Sequence, residues 1–265
     1  MAGPNKIPKQ MTDINTIENK KISATRLLLF IIIGFGVSNI FRFDIFDLNN
    51  TLEANYNWSY LILEGILEGS GIFIAGLLGL FLLKKQRNVD ISFFGTSKVK
   101  SLLMASIPTL LLIVIGVQNK YGINSHLFGL IAAFGTFVYC IMEEYGWRGY
   151  LQEEFRFIKP FARFLIIGFV WYAWHLSFLT EATLFDNLFF LGILILGSWG
   201  IGQIAELTKS ILACTCIHLL VNVFMYNHFF NNAFSGTSKL IILIVSISLW
   251  VLILIKWKKD LIIEN

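Results

Sequence analysis

Long apolar runs separated by short polar connections are the feature that most constrains how this chain can fold. Eight runs follow one another, at about residues 26–41, 58–83, 101–117, 127–149, 161–179, 188–205, 211–226 and 240–255. A helix needs about 20 apolar residues to span a bilayer. Charged residues make up only 14% of the 265 positions, whereas a soluble domain averages about 25%. We therefore predict an all-α, polytopic transmembrane helical bundle with about eight spans.

The basic residues predict the orientation of these spans. Lysine and arginine cluster before the first run, after the last run and in every second connection, while the other connections carry mainly acids. Positive loops stay in the cytoplasm, so both termini are expected there. Residues 1–25 are predicted to be a polar cytoplasmic tail rather than a cleaved signal, and 26–265 a single transmembrane domain. The modest net charge of +4 gives no indication of nucleic acid, and the expected surroundings are the lipid bilayer.

The fourth run ends in a group of charges. A charge inside a membrane is costly and indicates a functional site until a structural partner explains it. Glu144 and Arg148 are four residues apart, so on a helix they share a face within ion-pair reach. Glu143 is offset by about 100° and can face other partners; partial burial would make it a better base. The alternative is a cytoplasmic helix end whose charges reach into water.

Two later runs carry polar pairs at the same helical spacing. Trp171 and His175 lie four residues apart in the fifth run, and His218 and Asn222 do so in the seventh. Alone, His175 could bond to a backbone carbonyl of a neighbouring helix. The His218–Asn222 pair could be an interhelical contact worth about 0.6–2 kcal/mol. Together with the charges of the fourth run, the pairs predict a polar cavity that holds water.

Two acids of the second run stay outside this predicted site. Glu64 and Glu68 are four residues apart on an otherwise apolar helix. They could line an outward cavity or a substrate groove, or pair with Arg42. Since buried charges often simply pair, a structural role is expected.

Three motifs resemble those of the CPBP family, the CAAX protease and bacteriocin-processing family of membrane peptidases, which includes type II CAAX prenyl endopeptidase-like proteins. The sequence EEYGWRGYLQ, starting at Glu143, resembles the EExxxR motif. FVWYAWHLSF resembles the second motif, often FxxxH or WxxWHLP, with Trp171 where Phe is usual and Ser177 where Pro is common. ELTKSILACTCIHLLVN, ending at Asn222, resembles the stretch that ends in HxxxN. The resemblance covers about residues 134–224, and the implied peptidase core about 127–226.

The resemblance implies an intramembrane endopeptidase that hydrolyses a peptide bond of a membrane-associated protein or peptide. Carried over by motif position, Glu143 and His175 would activate the water. Glu144 and Arg148 would orient the site. Proton transfer of this kind contributes about 10²–10⁴-fold to a rate.

The same resemblance assigns His218 and Asn222 to the carbonyl oxygen as it becomes an oxyanion. A neutral imidazole and an amide can each donate a hydrogen bond, and their shared helix face would let both point at one atom. Two histidines and a glutamate also form a catalytic zinc set, so Zn²⁺ is possible, held by Glu143, His175 and His218. The HExxH motif is absent, and we expect that no cofactor is required.

Two other function classes are compatible with the sequence. A non-catalytic family member could bind and regulate another membrane protein or confer bacteriocin immunity, but all six motif positions are intact. A transporter with a proton relay would show broken helices and internal repeats. The many Ile, Asn, Lys and Phe residues indicate a bacterial chain in the cell membrane. Peptide maturation or bacteriocin self-immunity is therefore favoured over cleavage of prenylated proteins.

Overall fold

A computed structural model describes residues 22–175, 183–225, 229–230 and 232–264. Within these ranges the regular secondary structure is helical, which confirms the predicted all-α class; one isolated β-bridge joins Ser92 and Ser210. Most of the predicted tail, residues 1–21, lies outside the described part. The helices are α1 Ala24–Arg42, α2 Leu48–Tyr56, α3 Tyr60–Lys84, α4 Lys98–Ile115, α5 Ser125–Glu144, α6 Gln152–Glu154, α7 Pro160–Trp174, α8 Leu184–Thr208, α9 Ile211–Phe224 and α10 Gly236–Glu264, with a 3₁₀ turn at Asn57–Ser59 and a π-helix at Tyr145–Leu151.

Each of the eight predicted runs contains one of these helices. Among the described residues, six stretches are long and apolar enough to cross a membrane, namely those built on α1, α3, α4, α5, α8 and α10. Helices α7 and α9 are apolar but have only 15 and 14 residues, about 22 Å at 1.5 Å per residue. The last residues of the predicted fifth and seventh spans, 176–179 and 226, lie outside the described residues. The chain is a multi-pass helical protein, and the count of eight spans and the orientation stay predictions.

The surface of the bundle is apolar. Large side chains with more than half of their surface exposed occur on several helices, among them Leu28, Val114, Leu188 and Leu252. A soluble protein rarely exposes so much contiguous apolar surface. Lipid is therefore the solvent that suits these helices.

Helix α3 packs against the π-helix backbone to backbone. A Cβ atom added to Gly76 would lie 2.6 Å from the Cα of Gly146, and one added to Gly146 would lie 2.3 Å from Ile72 Cγ2. Side chains at either glycine would push the two elements apart. This contact fixes the segment that directly follows Glu143 and Glu144.

A buried ion pair joins the start of α1 to the end of α6. The Glu154 carboxylate accepts hydrogen bonds from Arg26 Nε at 2.9 Å and Arg26 Nη2 at 2.8 Å, and from the Ser23 amide at 2.7 Å. Arg26 also donates to Gln86 Oε1 at 2.6 Å. The bidentate geometry is the strongest form of such a pair, so it anchors α1 to α6.

The connection between α3 and α4 holds the start of α9. The Ser92 amide donates to the Lys209 carbonyl at 2.9 Å, and the Ile211 amide donates to the Ser92 carbonyl at 3.0 Å. Gly95 has a φ of +63°, and a Cβ there would lie 2.1 Å from the Thr208 carbonyl oxygen. These contacts set the position of α9, which carries His218.

Candidate active site

The six predicted site residues lie on three neighbouring segments. Helix α5 and the π-helix supply Glu143, Glu144 and Arg148, the end of α7 supplies His175, and α9 supplies His218 and Asn222. All are buried except Asn222, which is half-buried. Direct contacts and the indole of Trp171 join them into one network.

The first segment is not the continuous α-helix that was expected. Helix α5 ends at Glu144, and the next seven residues form a π-helix, so the predicted helical run to residue 149 is wrong in this detail. This segment packs closely on α3, and Gly146 allows the contact because a Cβ there would lie 2.3 Å from Ile72 Cγ2. Single π-turns inside helices often occur at functional sites.

Glu143 faces two tryptophans. Its Oε2 atom accepts a hydrogen bond from Trp147 Nε1 at 2.9 Å and another from Trp171 Nε1 at 3.1 Å. The side chain is only 1% exposed. Two donors on one oxygen hold the carboxylate in a single orientation, away from Glu144, in agreement with the predicted offset.

Glu144 joins Arg148 to His218. Its Oε1 atom accepts from Arg148 Nη1 at 3.0 Å and lies 2.8 Å from His218 Nδ1. The predicted ion pair is therefore present, and these two charges are buried instead of reaching into water. Among the described residues, Glu144 Oε2 and Arg148 Nη2 have no hydrogen-bond partner. Buried polar atoms of this kind usually bind water.

The contact with Glu144 decides the tautomer of His218. A carboxylate accepts, so Nδ1 must carry the proton. In the neutral imidazole, Nε2 is then an acceptor; only the imidazolium donates from both nitrogens. The expectation that a neutral His218 donates to an oxyanion does not fit this geometry.

His175 lies just beyond the last residue of α7. Its φ and ψ of −84° and 35° are not helical, so the expected position inside a helix is wrong. Its Nδ1 atom lies 2.8 Å from the carbonyl oxygen of Trp171, in its own helix rather than in a neighbouring one. A carbonyl accepts, so Nδ1 carries the proton and the neutral ring has its lone pair on Nε2.

The amide nitrogen of Asn222 is bonded within the protein. Its Nδ2 atom donates to Cys140 Sγ at 3.4 Å and to the His218 carbonyl at 3.2 Å. The reason is that Cys140 of α5 packs opposite this turn of α9. A thiol sulfur is a weak acceptor, so the contact is inexpensive to break.

Tryptophans hold the network together, and the sequence signal for one of them was available. Trp147 is four residues after Glu143 and thus on the same side of the chain. The Trp171 ring lies 4.8 Å from the guanidinium carbon of Arg148 and meets the His218 ring edge-on at 5.2 Å between centroids. Trp171 therefore contacts residues of all three segments.

Arg42, at the end of α1, also reaches the site. Its Nη2 donates to Tyr139 Oη at 3.0 Å and its Nη1 to the Trp174 carbonyl at 3.2 Å. Its guanidinium carbon lies 3.5 Å from the centre of the Trp174 ring. The suggested pairing of Arg42 with an acid of α3 is found for Glu68, at 3.9 Å. Glu68 thus borders the site from which the sequence interpretation left it out.

The predicted zinc ligands do not form a three-ligand group. Across the described ranges no three His, Cys, Asp or Glu side chains come together as a metal site. Oε2 of Glu143 already accepts two indole N–H groups. This geometry does not fit a zinc ion held by Glu143, His175 and His218 together.

Comparison with known proteins agrees with the three motifs. Residues 125–224 match a family model described as Rce1-like, type II CAAX prenyl endopeptidase Rce1-like. Residues 125–224, the Rce1-like region, are similar to this family. The resemblance drawn from the motifs is confirmed, and the Rce1-like region holds all six motif residues. No curated protein and no solved structure shows significant similarity to the chain.

Proposed function

We propose that the protein is an intramembrane endopeptidase that hydrolyses a peptide bond of a membrane-associated protein or peptide. The observation that carries the proposal is the network of the Rce1-like region. A buried carboxylate, Glu143, is fixed by two indole donors, and both imidazoles have their Nδ1 protons bound to protein acceptors. Their Nε2 atoms are then basic in the neutral rings, as proton transfer requires.

Glu143 and His175 are the bases for the attacking water. The water oxygen bonds to the peptide carbonyl carbon while one of its protons passes to Glu143 or to His175 Nε2. The C–N bond then breaks as the same proton is delivered to the leaving nitrogen. His175 lies within electrostatic range of Glu143, which supports a shared role.

His218 and Asn222 each donate a hydrogen bond to the carbonyl oxygen, and each does so after a different change. His218 donates from Nε2 when it is the imidazolium, while its Nδ1 proton stays bound to the Glu144 carboxylate at 2.8 Å. Asn222 donates after its amide leaves Cys140, a weak acceptor. Arg148 keeps Glu144 in place, and this supports an orienting role for the Glu144–Arg148 pair.

The reaction described uses only groups of the chain. The poor fit of Glu143, His175 and His218 to a zinc ion supports this reading. We place the protein in the cell membrane of a bacterium with both termini in the cytoplasm, on the basis of its basic connections and residue usage. The substrates favoured are peptides under maturation or bacteriocins.

Comparison of the peptides released by two strains tests the proposal. One strain carries the wild type and the other Glu143→Gln, and membrane and secreted peptides are identified by mass spectrometry. A matched control is Glu153→Gln, which removes an acid of the neighbouring helix that is paired with Arg156 at 3.6 Å. The proposal expects peptides that appear in the wild type and the control and vanish in Glu143→Gln. Identical peptides in all three strains, with equal protein levels, would favour a non-catalytic binding role.

A further inference from the structure

Tyr139 presents a phenol beside the network, and no motif contains it. It lies on α5 four residues before Glu143, so the two side chains share a helix face. Its oxygen accepts a hydrogen bond from Arg42 Nη2 at 3.0 Å. A phenol that accepts one bond still has its own proton to donate.

Arg42 holds this phenol in a defined place. Its guanidinium bonds to the Trp174 carbonyl, stacks on the Trp174 ring and lies 3.9 Å from Glu68. The Arg42 side chain is only 2% exposed. A hydrogen bond from a cation polarises the phenol and makes its O–H a stronger donor. Arg42 lies outside residues 125–224, so α1 contributes to the site of the Rce1-like region.

The hydrogen-bond donors of the motifs are bound to other groups of the protein, so a further donor can contribute to binding the oxyanion. The Nδ1 proton of His218 is bound to Glu144, and the Asn222 amide is bound to Cys140 and to a carbonyl of its own helix. Stabilisation of an oxyanion needs donors that are in place before the reaction. Tyr139 is half-buried, and its ring centre lies 6.5 Å from that of His218. Its hydroxyl interacts with the Glu143 carboxylate through a hydrogen bond as well as electrostatically, and Glu68 is also within electrostatic range. The phenol O–H therefore lies beside the proposed base, and it turns from Glu143 to the substrate oxygen during the reaction.

We propose that Tyr139 is a further catalytic residue, whose O–H donates to the substrate carbonyl oxygen as it becomes an oxyanion, and that Arg42 positions it. The inference rests on the proposed hydrolysis. It assigns a part of the site to α1, which the motifs do not reach.

Substitution of Tyr139 by Phe removes the hydroxyl and leaves the ring. With purified protein and a substrate peptide found as described above, kcat is expected to fall about 10²–10³-fold with KM nearly unchanged, the loss typical of one oxyanion donor. Arg42→Gln is expected to lower kcat, Arg42→Lys to restore part of it, and Tyr139→Phe with Arg42→Gln to be little worse than Tyr139→Phe alone. Tyr172→Phe, which removes a half-buried phenol on α7, is the matched control and should keep the wild-type kcat.

A transition-state analogue separates a donor from a residue that only supports Glu143. A phosphonate peptide of the substrate sequence carries the negative oxygen without needing a base. Tyr139→Phe should weaken its binding by about the factor lost in kcat/KM, as expected for a residue that binds the transition state. Unchanged analogue affinity, or a wild-type kcat in Tyr139→Phe while Glu143→Gln is inactive, would overturn this inference and leave the proposed function standing. Wild-type activity of Glu143→Gln would instead overturn the proposed function itself.

Discussion

Neutralising Glu144 should destabilise the protein strongly, and the loss should depend on Arg148. Both side chains are buried, with 0% and 1% of their side-chain surface exposed, and their atoms approach to 3.0 Å. Removing one partner of a buried pair leaves a buried charge without compensation and costs about 3–5 kcal/mol. Glu144→Gln and Arg148→Gln are each expected to cost about this much. The double variant leaves neither charge behind, so its loss should be at least about 2 kcal/mol smaller than the sum of the two single losses.

Thermal unfolding of the four proteins in one detergent, followed by tryptophan fluorescence, measures this coupling. A loss of about 1 kcal/mol lowers the Tm of a chain of 150–250 residues by about 2–4 °C. The single variants should therefore unfold about 6–20 °C below the wild type. The control pair Glu53→Gln and Lys120→Gln removes an exposed ion pair and should change Tm little. If the two losses at Glu144 and Arg148 simply add, the buried network is not the structural unit described above.

Three further predictions concern single contacts. Trp147→Phe and Trp171→Phe each remove one indole donor to Glu143. Each substitution should lower kcat about 10-fold, since a hydrogen bond to a charged group is worth about 1.5–3 kcal/mol. A wild-type kcat for both variants would show that these donors do not orient the base. Treatment with a strong chelator should leave the hydrolysis rate of the purified protein unchanged, and loss of activity that added Zn²⁺ restores, with stoichiometric metal in the protein, would contradict the metal-free reaction. Glu154→Gln should lower Tm as Glu144→Gln does, because Arg26 loses its bidentate partner. The folded variant should keep the wild-type kcat. A large drop in kcat at a temperature where the variant is folded would show that the Arg26–Glu154 ion pair also affects the active site.

The helical class could be predicted because a bilayer leaves few alternatives. A long apolar run must satisfy its backbone internally, and only helices and closed barrels do so in lipid. The paired positions could also be found, since side chains four residues apart meet on a helix. The Glu144–Arg148 ion pair is the clearest example.

The details that were missed depend on contacts between helices. The π-helix after Glu144 forms where Gly76 of α3 meets Gly146, and no local pattern distinguishes it from a continued α-helix. The contact of Asn222 with Cys140 depends on the neighbouring α5 in the same way. Arg42 was expected only as a possible partner of Glu64 or Glu68, because its contacts with Tyr139 and Trp174 follow from the packing of α1 on α3.

The water-activating role of Glu143 is tested most directly with purified protein in liposomes and a confirmed substrate. In water labelled with ¹⁸O, wild-type protein should place one ¹⁸O atom in the new carboxylate of the released peptide. Glu143→Gln, which keeps the shape of the side chain, should cut the single-turnover rate by at least about 10²-fold, the contribution of a general base. Its far-UV circular dichroism spectrum should remain that of the wild type. Cleavage by Glu143→Gln at the wild-type rate would contradict the account.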